Sequence, residues 1–206
     1  PCRNSERYIK ETIDSVIGQS ALLSGRAGLE YIICDGNSTD QTVSIIESYP
    51  NKSIRLISEP DSGMYEALSK GLKLASGGIV EYLNAGDYYS KYAFDIVLDI
   101  FESKDVKWLT GMNVCYNEKS HLVYALLPFK YRKNFINKGF YCKKMPSIQQ
   151  ESTFWLAELT QYIDFNALST KRYAGDYYLW TRFSKAADLA IVEAYLGGFK
   201  IHKGQL

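Results

Sequence analysis

The chain has 206 residues, with 24 Lys and Arg against 23 Asp and Glu for a net charge of +1. That balance excludes a polyanion binder and an acidic tail protein, and the length suits one domain with a real core. At 46% apolar residues the composition is that of a globular protein, and no apolar run approaches the ~18 residues of a membrane span.

Cys2, Cys34, Cys115 and Cys142 include no C-x-x-C pair and have no histidine beside them. They read as free, mostly buried thiols in a reducing compartment rather than a zinc site. The 17 tyrosines suit a polar ligand such as a sugar, which stacks on rings and takes hydrogen bonds; genome composition explains the same count. No signal peptide is evident. The chain opens at Pro1 and no strand precedes the first helix, so a first strand is expected to be missing.

Asn4 or Ser5 caps a first helix over residues 6–19, where Tyr8, Ile9, Ile13, Val16 and Ile17 recur at helical spacing. Residues 29–34 read as a buried strand that stops at Asp35-Gly36-Asn37-Ser38-Thr39-Asp40. Ser38 and Gln41 form a capping-box pattern for a second helix that ends at Pro50. A short strand over 53–58 leads into the turn Glu59-Pro60-Asp61-Ser62-Gly63 and a helix over 64–75, with Gly77 and Gly78 as C-cap residues. A strand from Gly78 then ends in Asn84-Ala85-Gly86-Asp87, and a helix covers about 92–102.

This alternation builds a mostly parallel sheet with helices on both faces. Asp35, Asp61 and Asp87 each follow a strand, and parallel strands bring their carboxyl ends to one edge, where open α/β sheets bind ligands. Carboxylates there suit a hard cation; each also reads as an ordinary turn aspartate.

The second half is less regular. Residues 107–110 and 122–125 read as strands. Residues 129–144 carry Lys130, Arg132, Lys133, Lys138, Lys143 and Lys144 with no acid, interleaved with aromatics. Such a stretch suits phosphates, anionic lipid or nucleic acid, and equally a solvated loop. Gln149-Gln150-Glu151-Ser152-Thr153-Phe154-Trp155 is a polar cluster ahead of an aromatic pair, followed by a helix over about 156–163. Asp176, in Gly175-Asp176-Tyr177, opens the last helix, where the dipole favours a carboxylate and a plain first-turn acid is also at home.

Together these residues resemble family 2 glycosyltransferases. Pro1-Cys2-Arg3-Asn4 resembles the start of those enzymes just after their first strand. Asp35 to Asp40 resembles their D-G-x-S-T-D loop, and Glu59 to Tyr65 the E-P-D-x-G-x-Y turn of bacterial members. Leu83 to Asp87 sits where they carry the D-x-D-like metal motif, with Gly86 replacing a common acid and Cys34 standing where many have a first Asp. Gln149 to Trp155 resembles their Q-x-S-T-F segment, and Gly175-Asp176-Tyr177 sits where they carry the catalytic base. The resemblance runs almost end to end.

It implies a GT-A fold: an α/β, Rossmann-like nucleotide-diphospho-sugar transferase fold with a mostly parallel central sheet. One domain would span 1–206, with about 1–104 binding the donor nucleotide and about 105–206 the acceptor. The implied reaction is inverting transfer from a UDP-sugar to a saccharide or lipid-linked acceptor in bacterial polysaccharide biosynthesis, with Mg²⁺ or Mn²⁺. Asp35 would hydrogen-bond the base and Asp61 lie beside base or ribose. Pro1, Asn4, Lys70, Asn84, Ala85 and Gly86 would complete the donor site. Asp87, with His202, would hold the ion, and Asp176 would take the acceptor proton. Gln150, Ser152 and Trp155 would face the acceptor. The expected location is cytoplasmic, with peripheral contact of 129–144 on the inner membrane face and no nucleic-acid partner. The alternatives are a non-catalytic carbohydrate- or nucleotide-binding relative and a nucleotidyltransferase; residues 2–8 lack the glycine-rich basic loop of the latter.

Overall fold

The computed structural model describes residues 1–143 and 147–201, with the backbone alone at 142 and 143. The first part alternates helix and strand: α1 (Ile9–Ile17), a short α2 (Ser20–Leu23), β1 (Tyr31–Asp35), α3 (Thr42–Glu47), β2 (Ile54–Ser58), α4 (Met64–Leu74), β3 (Ile79–Val80), β4 (Tyr88–Tyr89) and α5 (Ala93–Ser103). Short strands dominate the rest. These are β5 (Trp108–Thr110), β6 (Asn113–Tyr116) and β7 (Leu122–Leu126), followed by α6 (Lys133–Asn137) and α7 (Phe140–Lys143). A 3₁₀ turn (Gln150–Ser152) leads into β8 (Thr153–Leu156), a second 3₁₀ segment (Ala157–Tyr162), α8 (Phe165–Ser169), α9 (Gly175–Ala186), β9 (Ala190–Ile191) and β10 (Gly197–Lys200).

The class is α/β, as expected, but the sheet is not mostly parallel: among the described residues parallel and antiparallel pairings are mixed. β1 and β2 pair in parallel, with Ile33 opposite Leu56. A second sheet is ordered β3-β8-β5-β9 and a third β4-β10-β6-β7. Most of the antiparallel pairing comes from the second half of the chain: β8 inserts between β3 and β5, antiparallel to both, and β7 folds back on β6. The helix expected over 156–163 is therefore preceded by a strand and reduced to a 3₁₀ segment.

α1 forms where Ile9, Thr12, Ile13 and Val16 fall on one buried face; each aliphatic side chain withdrawn from water contributes roughly 1.5–3 kcal/mol. α4 buries Tyr65, Ala67, Leu68 and Leu72. Ala75 turns it into extended backbone. The Ser76 and Gly77 amides then donate to the Glu30 carboxylate at 2.7 and 3.2 Å, so Gly77 and Gly78 are not the cap. At α3 the Thr42 amide donates to Asp40 Oδ1 at 3.0 Å, a capping contact expected from Ser38, whose hydroxyl is spent on Asp35.

Between β1 and β3 lies a largely apolar cavity of about 480 Å³, lined by Ile32, Ile33, Leu68, Leu72, Val80 and Phe94 among others. Cys2 begins a ladder along its β1 side: its amide donates to the Cys34 carbonyl, and its carbonyl accepts from the Gly36 amide, both at 2.9 Å. The main core lies on the other side of β3. There Trp108, Trp155, Trp180 and Phe183 are nearly or fully buried, with Trp155 and Phe183 ring centroids 5.2 Å apart.

Candidate active site

The loop after β1 is organised by Asp35. Its carboxylate accepts from the Ser38 amide at 3.0 Å, from the Ser58 hydroxyl at 2.7 Å, from the Ser38 hydroxyl, and from the Cys2 thiol at 3.8 Å. Burial alone would raise this carboxyl, but those donors outweigh it and hold it below the usual range. Asn4 fastens the same loop, with its amide donating to Ser38 Oγ at 2.8 Å and its Oδ1 accepting from the Thr39 amide at 2.9 Å. Asp61 lies against this loop, so close to Gly36 that a Cβ there would stand 2.7 Å from Asp61 Oδ2. Lys70 braces the neighbouring turn, its ammonium 3.0 Å from both Glu59 and Glu66.

The loop after β3 is clamped by α1. The Gly86 amide donates to Thr12 Oγ1 at 2.9 Å, and the Thr12 hydroxyl donates to the Asp87 carbonyl at 2.8 Å. Gly86 has φ +113, where an L side chain is strained; that accounts for glycine at a position where an acid is common. The Lys200 amide in β10 donates to Asp87 Oδ1 at 3.0 Å. Asn84 Nδ2 donates to Gln150 Oε1 at 3.0 Å, while Gln150 Nε2 donates to Glu81 Oε1 at 3.2 Å and to the Tyr82 carbonyl. Gln150 thus joins residues 81–84 to the 3₁₀ turn before β8.

That turn also delivers Glu151, which the sequence reading passed over. Asp87 is 2% exposed and Glu151 4%, and their carboxyl groups interact directly. Burial pushes the Glu151 carboxyl up to about 7. Burial, with the neighbouring Glu151 charge, pushes Asp87 and Glu81 well above the ordinary carboxyl range. Glu151 Oε2 is buried without a hydrogen-bond donor, as is Asn84 Oδ1. Orphaned oxygens beside a second carboxylate fit the donor set of a hard cation. Among the described residues no three His, Cys, Asp or Glu side chains group closely enough to hold a metal unaided. Two carboxylates suit an ion of the Mg²⁺ kind, which completes its shell with substrate phosphates and water.

Asp176 stands in the first turn of α9, after Ala174 at φ 56. The Tyr65 hydroxyl donates to its Oδ1 at 3.4 Å. Burial outweighs this bond and the helix-terminal amides and raises the carboxyl. Glu151 feels the charge of Asp176 and bonds the Asp87 carboxyl, and Tyr82 feels the charges of Asp176 and Glu151. The loop after β3, the 3₁₀ turn and the start of α9 therefore meet around Tyr82 and Glu151.

Some expected contacts lie elsewhere. Trp155 does not face an acceptor: it is fully buried among Trp108, Trp180 and Phe183, because β8 turns it into the core. Ser152 is also buried, with its hydroxyl within 3.0 Å of the Met112 carbonyl and 3.1 Å of that of Gly197. Pro1 and Ala85 line the cavity beside β1. His202 lies outside the described residues. In the stretch 129–144, Tyr131 and Tyr141 are core residues, whereas Phe129 is 99% exposed. Lys144 lies outside the described residues, and so does the side chain of Lys143. Cys2, Cys34 and Cys115 are free and buried, as expected.

Residues 1–156 match the model of glycosyl transferase family 2. A Rickettsia prowazekii (strain Madrid E) protein named uncharacterized glycosyltransferase RP339 is 28% identical over 209 residues, covering 100% of this chain and 63% of that protein. The Bacillus subtilis (strain 168) minor teichoic acid biosynthesis protein GgaA is 31% identical over 106 residues, covering 49% of this chain and 23% of its own. Among solved structures, S. aureus TarS 1-349 in complex with UDP-GlcNAc superposes with a TM-score of 0.78 at 18% identity, covering 100% of this chain and 58% of that one. That likeness establishes the fold, GT-A. The chain spans less than two thirds of the length of each of these proteins.

Proposed function

Because the chain belongs to glycosyl transferase family 2, we propose that it moves a sugar from a UDP-linked donor to a saccharide or lipid-linked acceptor. Transfer proceeds with inversion, in bacterial polysaccharide biosynthesis. The observation that carries this reading is the meeting of Asp87 and Asp176, from distant parts of the chain, around Glu151. The solved complex of TarS with UDP-GlcNAc supports the donor class, and the name of GgaA supports the polymer context.

In this reading the nucleotide lies along the Asp35 and Asp61 loops, beside Pro1, Asn4 and Lys70. Asn84, Ala85 and Gly86 would seat the diphosphate, and Asp87 would hold Mg²⁺ or Mn²⁺. When bound, the ion neutralises the charge that builds on the departing diphosphate. Asp35 has its acceptor positions filled by Ser38, Ser58 and Cys2; a base reaches it by displacing the Cys2 thiol, the longest of these contacts. The acceptor oxygen attacks the anomeric carbon opposite the leaving diphosphate, and Asp176 takes its proton. A carboxyl raised by burial is the stronger base for that step.

Gln150 and Ser152 shape the acceptor side from behind, by fixing the 3₁₀ turn. No helix among the described residues is long and apolar enough to cross a membrane. The exposed residues 122–127 and Phe129, followed in the chain by the exposed Lys130, Arg132, Lys133 and Lys138, would suit the anionic cytoplasmic face of a membrane. The test of the reaction is Asp176→Asn. Its kcat is expected to fall on the order of 10²- to 10⁴-fold with UDP affinity unchanged. A large loss of UDP affinity instead would assign Asp176 to donor binding or structure.

A further inference from the structure

We propose that Glu151 is a second protein ligand of the divalent cation, forming with Asp87 a two-carboxylate seat for the ion that carries the donor diphosphate. The inference rests on the transferase reading above. It assigns the ion a ligand from outside the loop that follows β3.

Glu151 is fixed at its backbone. β10 packs so tightly on it that a Cβ at Gly197 would stand 1.8 Å from the Glu151 carbonyl oxygen. Its neighbours are anchored as well, Gln149 by donating to the Val114 carbonyl at 2.8 Å and Ser152 by its hydroxyl contacts to Met112 and Gly197. The carboxylate held in this way is 4% exposed, leaves Oε2 without a donor, and interacts directly with the side chain of Asp87.

Two ionised carboxylates in contact offer each other acceptors only, and buried charge persists where it is paired or bound to metal. A divalent ion would supply the missing positive charge, with its remaining positions open to phosphate oxygens and water. Gly86 gives the same argument from another direction. Its φ of +113 excludes a second acid from the loop without strain, and Glu151 brings a carboxylate to the same ion from the 3₁₀ turn. With two carboxylate ligands among the described residues, the ion should bind weakly alone and tightly with UDP.

The experiment measures Mn²⁺ binding by loss of the free-ion EPR signal, with and without UDP, for the wild type, Glu151→Gln and Asp87→Asn. Both variants are expected to bind Mn²⁺ on the order of 10- to 100-fold more weakly in the presence of UDP, with ion-free UDP affinity unchanged. Glu151→Gln binding Mn²⁺ as the wild type does would overturn the assignment. A wild-type crystal grown with MnCl₂ and UDP gives the same answer without a substitution, by anomalous scattering. An ion bonded to both carboxylates supports the proposal. An ion on Asp87 alone, or UDP bound with no ion there, overturns it and leaves the transferase reading standing. Failure of UDP to bind in crystal and solution overturns both.

Discussion

At the start of α9, a missing Cβ is what lets Tyr65 reach Asp176. Any side chain at 175 would meet the Tyr65 ring at 2.4 Å, and that ring is 5% exposed with little room to move. Gly175→Ala is therefore expected to cost about 1–3 kcal/mol through overpacking and to lower kcat by shifting the hydroxyl that donates to Asp176. Urea unfolding and steady-state rates measure the two effects; a variant with wild-type values in both would show that the contact is slack. Gly175, Gly86 and Glu151 share a lesson about reading single residues. Asp87 and Asp176 stand out in sequence because an acid after a strand or before a helix has a known use. Glu151 does not, since its significance is a burial depth and a neighbour 64 positions away in the chain, neither of which a local pattern encodes.

Among the elements, those with a repeated apolar period were legible. α1 and α4 bury most of the apolar residues their spacing groups, α5 lies within a residue of its expected range, and β1 and β2 fall where the apolar runs are. β4, β9 and β10 were not, because strands of two to four residues are too short for a period to emerge. β8 was hidden differently: Thr153-Phe154-Trp155-Leu156 is buried on both faces, so its aromatics read as ligand contacts although they are core. β7 is the converse, an apolar strand exposed along its whole length, followed in the chain by Phe129 and the basic residues. Pelleting with anionic vesicles is expected for the wild type, and Phe129→Glu combined with Lys130→Glu should reduce it severalfold, each basic residue near such a surface counting for about 1 kcal/mol. Equal pelleting with neutral and anionic vesicles would rule out the charge contribution.

For the molecule as a whole, the carboxylates divide into two groups with opposite pH signatures. Burial raises Glu81, Asp87, Glu151 and Asp176, with neighbouring charge adding to the first three. The folded protein then keeps protons that the unfolded chain has released, so stability falls as pH rises above the unfolded carboxyl range. Hydrogen bonds from Ser38 and Ser58 overcome burial to lower Asp35, and bonds from Thr42 and neighbouring amides do the same for Asp40. Their stabilisation is present above the unfolded carboxyl range and is lost as pH falls through the folded values. The melting temperature of the metal-free protein is therefore expected to peak on the acid side of neutrality. Glu151→Gln should flatten its decline between about 4.5 and about 7. A melting temperature that climbs steadily from about pH 5 to about pH 8 would contradict this account.

The cavity between β1 and β3 has a consequence for how the molecule meets others of its kind. Its lining is largely apolar, and along its β1 side Cys2 already pairs with Cys34 and Gly36 through the backbone. Such a groove does not distinguish a tethered strand from one that arrives by diffusion. An extended segment entering it would withdraw apolar surface from water, and capture of one from another molecule rises with protein concentration. Self-association through this groove would therefore show as a dependence of apparent mass on dilution.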